Sequence, residues 1–299
     1  MQNITVILFF FAVGVGLRFV RDINIAKFLN IGIIYISLPA LVLYKIPTLH
    51  ISSKTLTPVI LPWVMAFILP FVVIFFSKKY SLLKKETGSL LLVSVLGNTS
   101  FLGVPLIELF YGGNYVPYAL LYDQLGSFLI LSTYGSLIAG IYGTNKNINF
   151  LNIVKKIIFF PPFLSLLLAF FLKDFWVHQA FKTVLNPLSS TLVPFALMSV
   201  GCQLRFKVPY SERKALLIAI FIKTVISPAI ALILCLIFTD MSMIVKTSIL
   251  EAGMGPMITA GIMASLAGLK PSLTNAIVGY GILFSFITLP VFYTILLNF

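Results

Sequence analysis

Four ionisable residues stand inside otherwise apolar stretches of this chain: Glu108, Asp123, Lys223 and Glu251. A charge in such a place is costly to bury, and it marks a binding site or pathway unless it finds a partner. Glu251 is the most informative. It opens Glu251-Ala252-Gly253-Met254-Gly255-Pro256-Met257-Ile258-Thr259, where glycines and a proline interrupt an apolar run. A carboxylate in the last turn before a helix stops is disfavoured by the negative end of the helix dipole. Glu251 is therefore expected to carry a proton, hold a cation such as sodium, or pair with Lys223, which lies mid-way through its own apolar run. Asp123, followed by Gln124, sits early in a third run, at a site wall or at the membrane interface. Glu108 sits near the end of a fourth, where interfacial solvation accounts for it.

The second group of candidates is uncharged. Gly97-Asn98-Thr99-Ser100-Phe101-Leu102-Gly103-Val104-Pro105 interrupts the apolar run from about Gly88 to Tyr111 with residues that cap or break helices. Half-helices over 88–96 and 101–111 would each rise roughly 14–17 Å at 1.5 Å per residue, short of a bilayer core of about 30 Å. Their free ends must then meet in mid-membrane, with N–H and C=O groups that need protein, water or ligand as partners. The restarting halves, from about Phe101 and Met257, present positive N-terminal ends suited to an anion. Asn98, Thr99 and Ser100 can cap the helix or bond a carboxylate. The stopping halves, ending near Leu96 and Ala252, present carbonyls suited to a cation. Proline kinks alone would be the plainer account, but helix breakers cluster at mid-depth twice, and paired interruptions in two halves point to a transporter binding site. The expected substrate site comprises Gly97, Asn98, Thr99, Ser100, Gly103 and Pro105 on one side and Gly255, Pro256, Met257 and Thr259 on the other. Glu251, Lys223, Asp123 and Gln124 are the expected coupling residues, with sodium at Glu251 as one option.

These residues must be positioned by membrane helices. Hydrophobic residues make up 60% of the chain and charged ones 10%, against about a quarter charged in soluble proteins, and mean hydropathy is +1.07. Ten spans are expected, at roughly 3–20, 27–44, 57–76, 88–111, 117–142, 153–172, 184–204, 213–237, 244–268 and 273–298, in an all-α polytopic membrane protein. The net charge of +13 does not indicate nucleic acid, because the cations sit in short loops. Odd-numbered loops hold fifteen of the 21 Lys and Arg residues, even-numbered loops five, and Lys223 lies within a span. By the positive-inside rule the odd loops are cytoplasmic and both termini outside. Arg21, Lys146 and Lys173 belong to that count. Cys202 and Cys235 fall in apolar segments without metal-ligand spacing. The first segment lacks a basic leader and a small-residue cleavage site, and is read as a mature helix.

Features recur in order across the chain. Leu38-Pro39-Ala40-Leu41 parallels Val193-Pro194-Phe195-Ala196-Leu197, Pro70 parallels Pro228, the broken fourth span parallels the broken ninth, and Pro117 parallels Pro271. Two five-helix halves, 1–145 and 146–299, joined near 143–152, are expected to form a 5+5 inverted repeat that brings the broken spans together.

The stretch from Leu96 to Leu106, with Tyr111-Gly112 after it, resembles the fourth-span motif of the auxin efflux carrier family. Met198-Ser199-Val200-Gly201 resembles its seventh-span signature, and Gly255-Pro256 through Gly279-Tyr280-Gly281 to Leu289-Pro290 resembles its ninth and tenth spans. The absence of a long central loop is similar to prokaryotic members. The resemblance implies the fold shared with bile acid–sodium symporters. In that fold helices 1, 2, 6 and 7 form a scaffold with a potential dimer face, and helices 3–5 and 8–10 form a core around crossed helices 4 and 9. It also implies elevator-like alternating access. Glu251-Ala252-Gly253-Met254 is similar to a sodium-binding motif of the bile acid relatives, but Gly255-Pro256 stands where they have Gln-Asn.

The expected function is secondary active transport of a small organic anion (a carboxylate, auxin-like or dicarboxylate) across the cytoplasmic membrane, coupled to a proton or sodium or driven by membrane potential, with no cofactor and no resident metal. The alternatives are a sodium-coupled, bile-acid-like anion symporter and a membrane receptor that binds without translocating. No enzyme is expected: His50 and His178 stand in loops, and no His-Glu-x-x-His, paired carboxylates or Gly-x-Ser-x-Gly occurs.

Overall fold

The computed structural model describes residues 4–19, 25–144, 150–171 and 179–299. The helices run in the order α1 (Ile4–Leu17), α2 (Ile25–Thr48), α3 (Ser53–Lys79), α4 (Lys84–Val93), α5 (Thr99–Tyr111), α6 (Val116–Tyr142), α7 (Phe150–Ile158), α8 (Pro161–Phe171), α9 (Phe181–Gln203), α10 (Tyr210–Phe238), α11 (Met243–Ala252), α12 (Ile258–Leu266) and α13 (Pro271–Leu296). Among the described residues the fold is all-helical, and its one isolated β-bridge joins Gly97 to Pro256. Six helices, α2, α3, α6, α9, α10 and α13, are long and apolar enough to cross a membrane. Arg21, Lys146 and Lys173, and residues 145–149 of the expected junction between halves, lie outside the described residues.

The sixth expected span is not one helix. Pro161-Pro162 cannot continue a helix that already needs its backbone N–H groups, so α7 ends at Ile158 and α8 begins at Pro161.

Both faces of these helices are apolar, so their orientation is set by size and shape rather than polarity. On α3, Leu61, Met65, Leu69 and Val73 recur every four residues and are buried, whereas Phe67, Phe71 and Phe75 are exposed. That outer stripe is what a lipid-facing surface needs. On α9, small residues allow backbone-level approach. A Cβ added at Gly14 of α1 would lie 2.2 Å from the Met198 carbonyl oxygen, and one at Gly201 would lie 2.5 Å from the Phe11 carbonyl oxygen. Polar bonds reinforce the same region: Ser199 Oγ donates to Asn30 Oδ1 at 2.5 Å, and Ser37 Oγ and Thr191 Oγ1 share a hydrogen bond at 2.6 Å. Helices α1 and α2 pack on α9, and α2 also packs on α8.

The connections gather at two ends. At one, Arg18 lies over the Phe206 ring, Lys214 over the Tyr80 ring, Thr144 N–H donates to Ala267 O, and Lys270 pairs with Glu212 at 2.9 Å. The Glu212 carboxylate holds the Lys270 ammonium above the usual lysine range, first by that hydrogen bond and then by its charge. At the other, Lys45 Nζ donates to Gly113 O and Lys54 pairs with Asp240 at 2.6 Å. The first set joins odd-numbered connections and the second joins even-numbered ones.

Gly14→Val should lower thermal stability by at least about 1–3 kcal/mol, the usual range for overpacking. Gly16→Val, where a Cβ meets nothing within 4 Å, should leave it unchanged. Melting curves of both variants in detergent check the contact, and equal melting temperatures would refute it.

Candidate functional site

Helix α4 stops at Val93, and the chain unwinds until Asn98 caps α5, its Oδ1 accepting from Phe101 N–H at 3.4 Å. The Asn98 carbonyl accepts from Leu102 and Gly103, at 3.2 and 3.0 Å, because α5 opens on a π-helical turn over Thr99–Gly103. Helix α11 stops at Ala252, and α12 resumes at Ile258. The unwound segments run antiparallel and bond each other: Asn98 N–H donates to Gly255 O at 2.7 Å, and Met257 N–H donates to Leu96 O at 3.0 Å. Gly97 and Pro256 stand opposite one another between these two bonds. That is the position in an antiparallel pair that needs no N–H of its own, so proline is tolerated there. Pro256 in turn packs on Gly281, where an added Cβ would lie 2.5 Å from the proline Cδ.

Side chains from two further helices, and Glu251 of α11 itself, close on this bridge. Asp123, in a π-helical stretch of α6 (Tyr122–Ser127), is 1% exposed. Its Oδ1 accepts from Thr99 Oγ1 and Ser100 Oγ, both at 2.5 Å, and its Oδ2 accepts from Gln124 Nε2 at 2.6 Å. The two hydroxyls of the first break are thus committed to a protein carboxylate. Lys223, in a π-helical stretch of α10 (Ile222–Ile226), is 2% exposed, and its Nζ donates to Ala252 O at 3.0 Å. Ser227, one turn on, donates to the same carbonyl at 2.8 Å. Glu251 is fully buried, and neither of its carboxyl oxygens has a hydrogen-bond partner. Among the described residues no ion pair joins it to Lys223; the lysine bonds the neighbouring carbonyl instead.

The glycines of the first break accommodate these groups. A Cβ at Gly103 would lie 2.3 Å from Glu251 Oε2, and one at Gly97 would lie 3.1 Å from Lys223 Nζ. Gly97, Thr99, Lys223, Ser227 and Glu251 share a cavity closed by Pro62 and Met65 of α3 and Tyr122 of α6. At about 20 Å3 of space open to a water's centre, it has room for roughly one water.

The structure therefore brings together Gly97, Asn98, Thr99, Ser100, Gly103, Gly255, Pro256, Met257, Glu251, Lys223, Asp123 and Gln124. Pro105 is buried one turn into α5, and Thr259 is exposed on α12 and makes none of these contacts. Glu108 is half-buried near the end of α5. Ser227, Tyr122 and Pro62 were not expected at the site. The Lys223-x-x-x-Ser227 spacing, one helical turn, was the available signal for the serine.

Replacing Gly103 with alanine should cost on the order of 1–3 kcal/mol through overpacking, and the penalty should shrink in a Glu251→Ala background because the two positions touch. Thermal unfolding of the four proteins of this cycle measures it; additive losses would separate the two residues.

The chain is similar to two proteins described as uncharacterized transporters. It shares 31% identity with an uncharacterized transporter of Methanocaldococcus jannaschii over 285 residues, covering 91% of this chain and 90% of the relative. It shares 25% identity with an uncharacterized transporter of Methanothermobacter thermautotrophicus over 276 residues, covering 91% and 89%. Residues 22–293, which include both breaks and every side chain of the cluster, match the model of a family described as membrane transport protein. With that match across nearly its whole length, and with the fourth-span resemblance to auxin efflux carriers pointing the same way, the chain belongs to the membrane transport protein family.

Proposed function

We propose that this transporter is a secondary active carrier of a small organic anion, a carboxylate of auxin-like or dicarboxylate type, which it binds where the two helix breaks meet. One observation carries the reading. Two unwound segments from distant parts of the chain bond each other inside an apolar molecule, and a buried lysine, a buried glutamate and the Asn98 amide stand around them. Asn98 Nδ2 and both Glu251 oxygens are buried without partners. Buried polar groups are ordinarily satisfied, so the unsatisfied Glu251 carboxyl, which lines the cavity, and the unsatisfied Asn98 amide of the adjoining break suit a site that a ligand completes. The N-terminal ends of α5 and α12 and the Lys223 ammonium favour an anion there.

The cavity is too small for such a substrate as it stands, which suits a closed arrangement that must open by movement of the surrounding helices. We assign α1, α2, α7–α8 and α9 to a scaffold, through which two copies could pair, and the remaining helices to a mobile core that works by elevator-like alternating access. In this reading the chain crosses the cytoplasmic membrane ten times as two inverted halves, 1–145 and 146–299, with α4–α5 and α11–α12 as the crossed broken spans. Its cation-rich odd connections face the cytoplasm and both termini lie outside. Their gathering at one end of the molecule supports that orientation.

A sodium-coupled, bile-acid-like symporter is the second reading, favoured by the unpartnered Glu251 carboxyl. A receptor that binds without translocating is separated from both by counterflow, which only a carrier gives.

In proteoliposomes the wild type should exchange a labelled carboxylate against an internal unlabelled pool. Asn98→Ala should weaken its apparent affinity about tenfold or more, as expected for a hydrogen bond to a charged group; unchanged affinity and turnover would remove Asn98 from the site. Glu251→Gln should retain counterflow but lose uptake driven by a proton or sodium gradient. Gradient-driven accumulation at the wild-type level would show that Glu251 has no part in coupling.

A further inference from the structure

The end of α11 is a place where a cation is needed. The carbonyls of Ile249, Leu250 and Glu251 accept from Gly253 or Met254, which leaves the Ala252 carbonyl without a backbone donor at the negative end of the dipole, and the fully buried Glu251 carboxyl adds acidic oxygens one residue before it. A transporter can fill such a place with an ion from solution. Here the chain fills it from within: the Lys223 Nζ stands 3.0 Å from the Ala252 carbonyl oxygen. Three observations tie the lysine to this role. The ammonium is 2% exposed and, among the described residues, touches no carboxylate at ion-pair distance, so its direct partner is the Ala252 carbonyl. Ser227 Oγ, a second oxygen of the kind that ligates alkali ions, lies on the same carbonyl at 2.8 Å. Gly97 leaves the space that the ammonium occupies, since a Cβ there would press on Nζ at 3.1 Å. The remaining nearby acid, Asp123, is already occupied by three donors from Thr99, Ser100 and Gln124.

We infer that the Lys223 ammonium is a tethered cation that takes the place of a coupling metal ion at the second helix break, so that this transporter uses no sodium, and that removing the lysine side chain uncovers a monovalent-cation site at the Ala252 carbonyl and Ser227 Oγ, with the nearby Glu251 carboxylate supplying the balancing charge. The inference rests on the reading of the paired breaks as the transport site. It disfavours the sodium-coupled alternative. It also makes Lys223 a specificity-determining residue: it sets which ion the carrier ignores.

The test needs no transport substrate, so its failure is distinguishable from failure of the carrier reading. Melting temperatures of the purified protein in detergent are compared in sodium, potassium and choline chlorides at equal ionic strength. The wild type should melt at the same temperature in all three. Lys223→Ala should melt lower than the wild type in choline and gain a saturable upward shift in sodium or potassium. Lys223→Met, which fills the space without a charge, should melt lower and gain nothing. Glu251→Gln introduced into Lys223→Ala should abolish the gain. A saturable sodium-dependent shift in the wild type would overturn the inference, and so would a folded Lys223→Ala protein indifferent to every cation. Should Lys223→Ala fail to fold in choline, its recovery when purified in sodium or potassium would support the inference, and failure in all three salts would end it.

Discussion

A backbone N–H or C=O group left bare in hydrocarbon costs several kcal/mol, and much of the centre of this molecule can be understood as a response to that one fact. Two helices are interrupted in an apolar interior, and each interruption releases groups that a continuous helix would have paired. At the first, Tyr134 Oη covers the Leu91 carbonyl, Asn98 caps the restart, and Leu96 O and Asn98 N–H reach across to the second. At the second, Met257 N–H and Gly255 O complete the exchange, and Lys223 and Ser227 cover the Ala252 carbonyl. Proline sits, opposite Gly97, at a position of the exchange where no donor is required.

Close approach is the second requirement, and it explains which residues are small. Gly103 lies against the Glu251 carboxyl, Gly97 against the Lys223 ammonium and Gly281 against Pro256. The same device recurs where α1 meets α9, though there it joins backbone to backbone and leaves no polar group behind. Three π-helical stretches, over Thr99–Gly103, Tyr122–Ser127 and Ile222–Ile226, carry residues of the central cluster. Such turns are frequent at functional sites because they re-aim a side chain and loosen the local ladder. Here Trp63 Nε1 takes up the Leu125 carbonyl at one of them.

Much of this was legible in the chain itself. Clustered glycine, asparagine and proline within greasy runs announce interrupted helices, and the distribution of lysine and arginine separates two sets of connections that the structure gathers at opposite ends. The family, too, is announced by residues 96–106. What could not be read was which partner each polar group takes. Thr99 and Ser100 look like ligands for a carboxylate, and the carboxylate they hold is Asp123. Glu251 and Lys223 look like an ion pair, and the lysine prefers the carbonyl one residue along. Helix propensity does not distinguish a π turn from an ordinary one, and a helix that is apolar all round does not reveal its inner face. The division of α7 from α8 was written plainly in Pro161-Pro162, yet it was masked by the hydrophobicity of the run around it.

The bridge between Leu96–Asn98 and Gly255–Met257 has a bearing on how the protein is made. Asn98 is synthesised more than half the chain before Gly255, so the first break enters the membrane while its partner has yet to leave the ribosome. Until then Leu96 O and Asn98 N–H must be held by water or by the insertion machinery, and the cavity beside Gly97 lacks both Lys223 and Glu251. The part of the chain that carries the first break does not complete the site by itself. The missing donor and acceptor are Met257 N–H and Gly255 O, and both come from the second interrupted run.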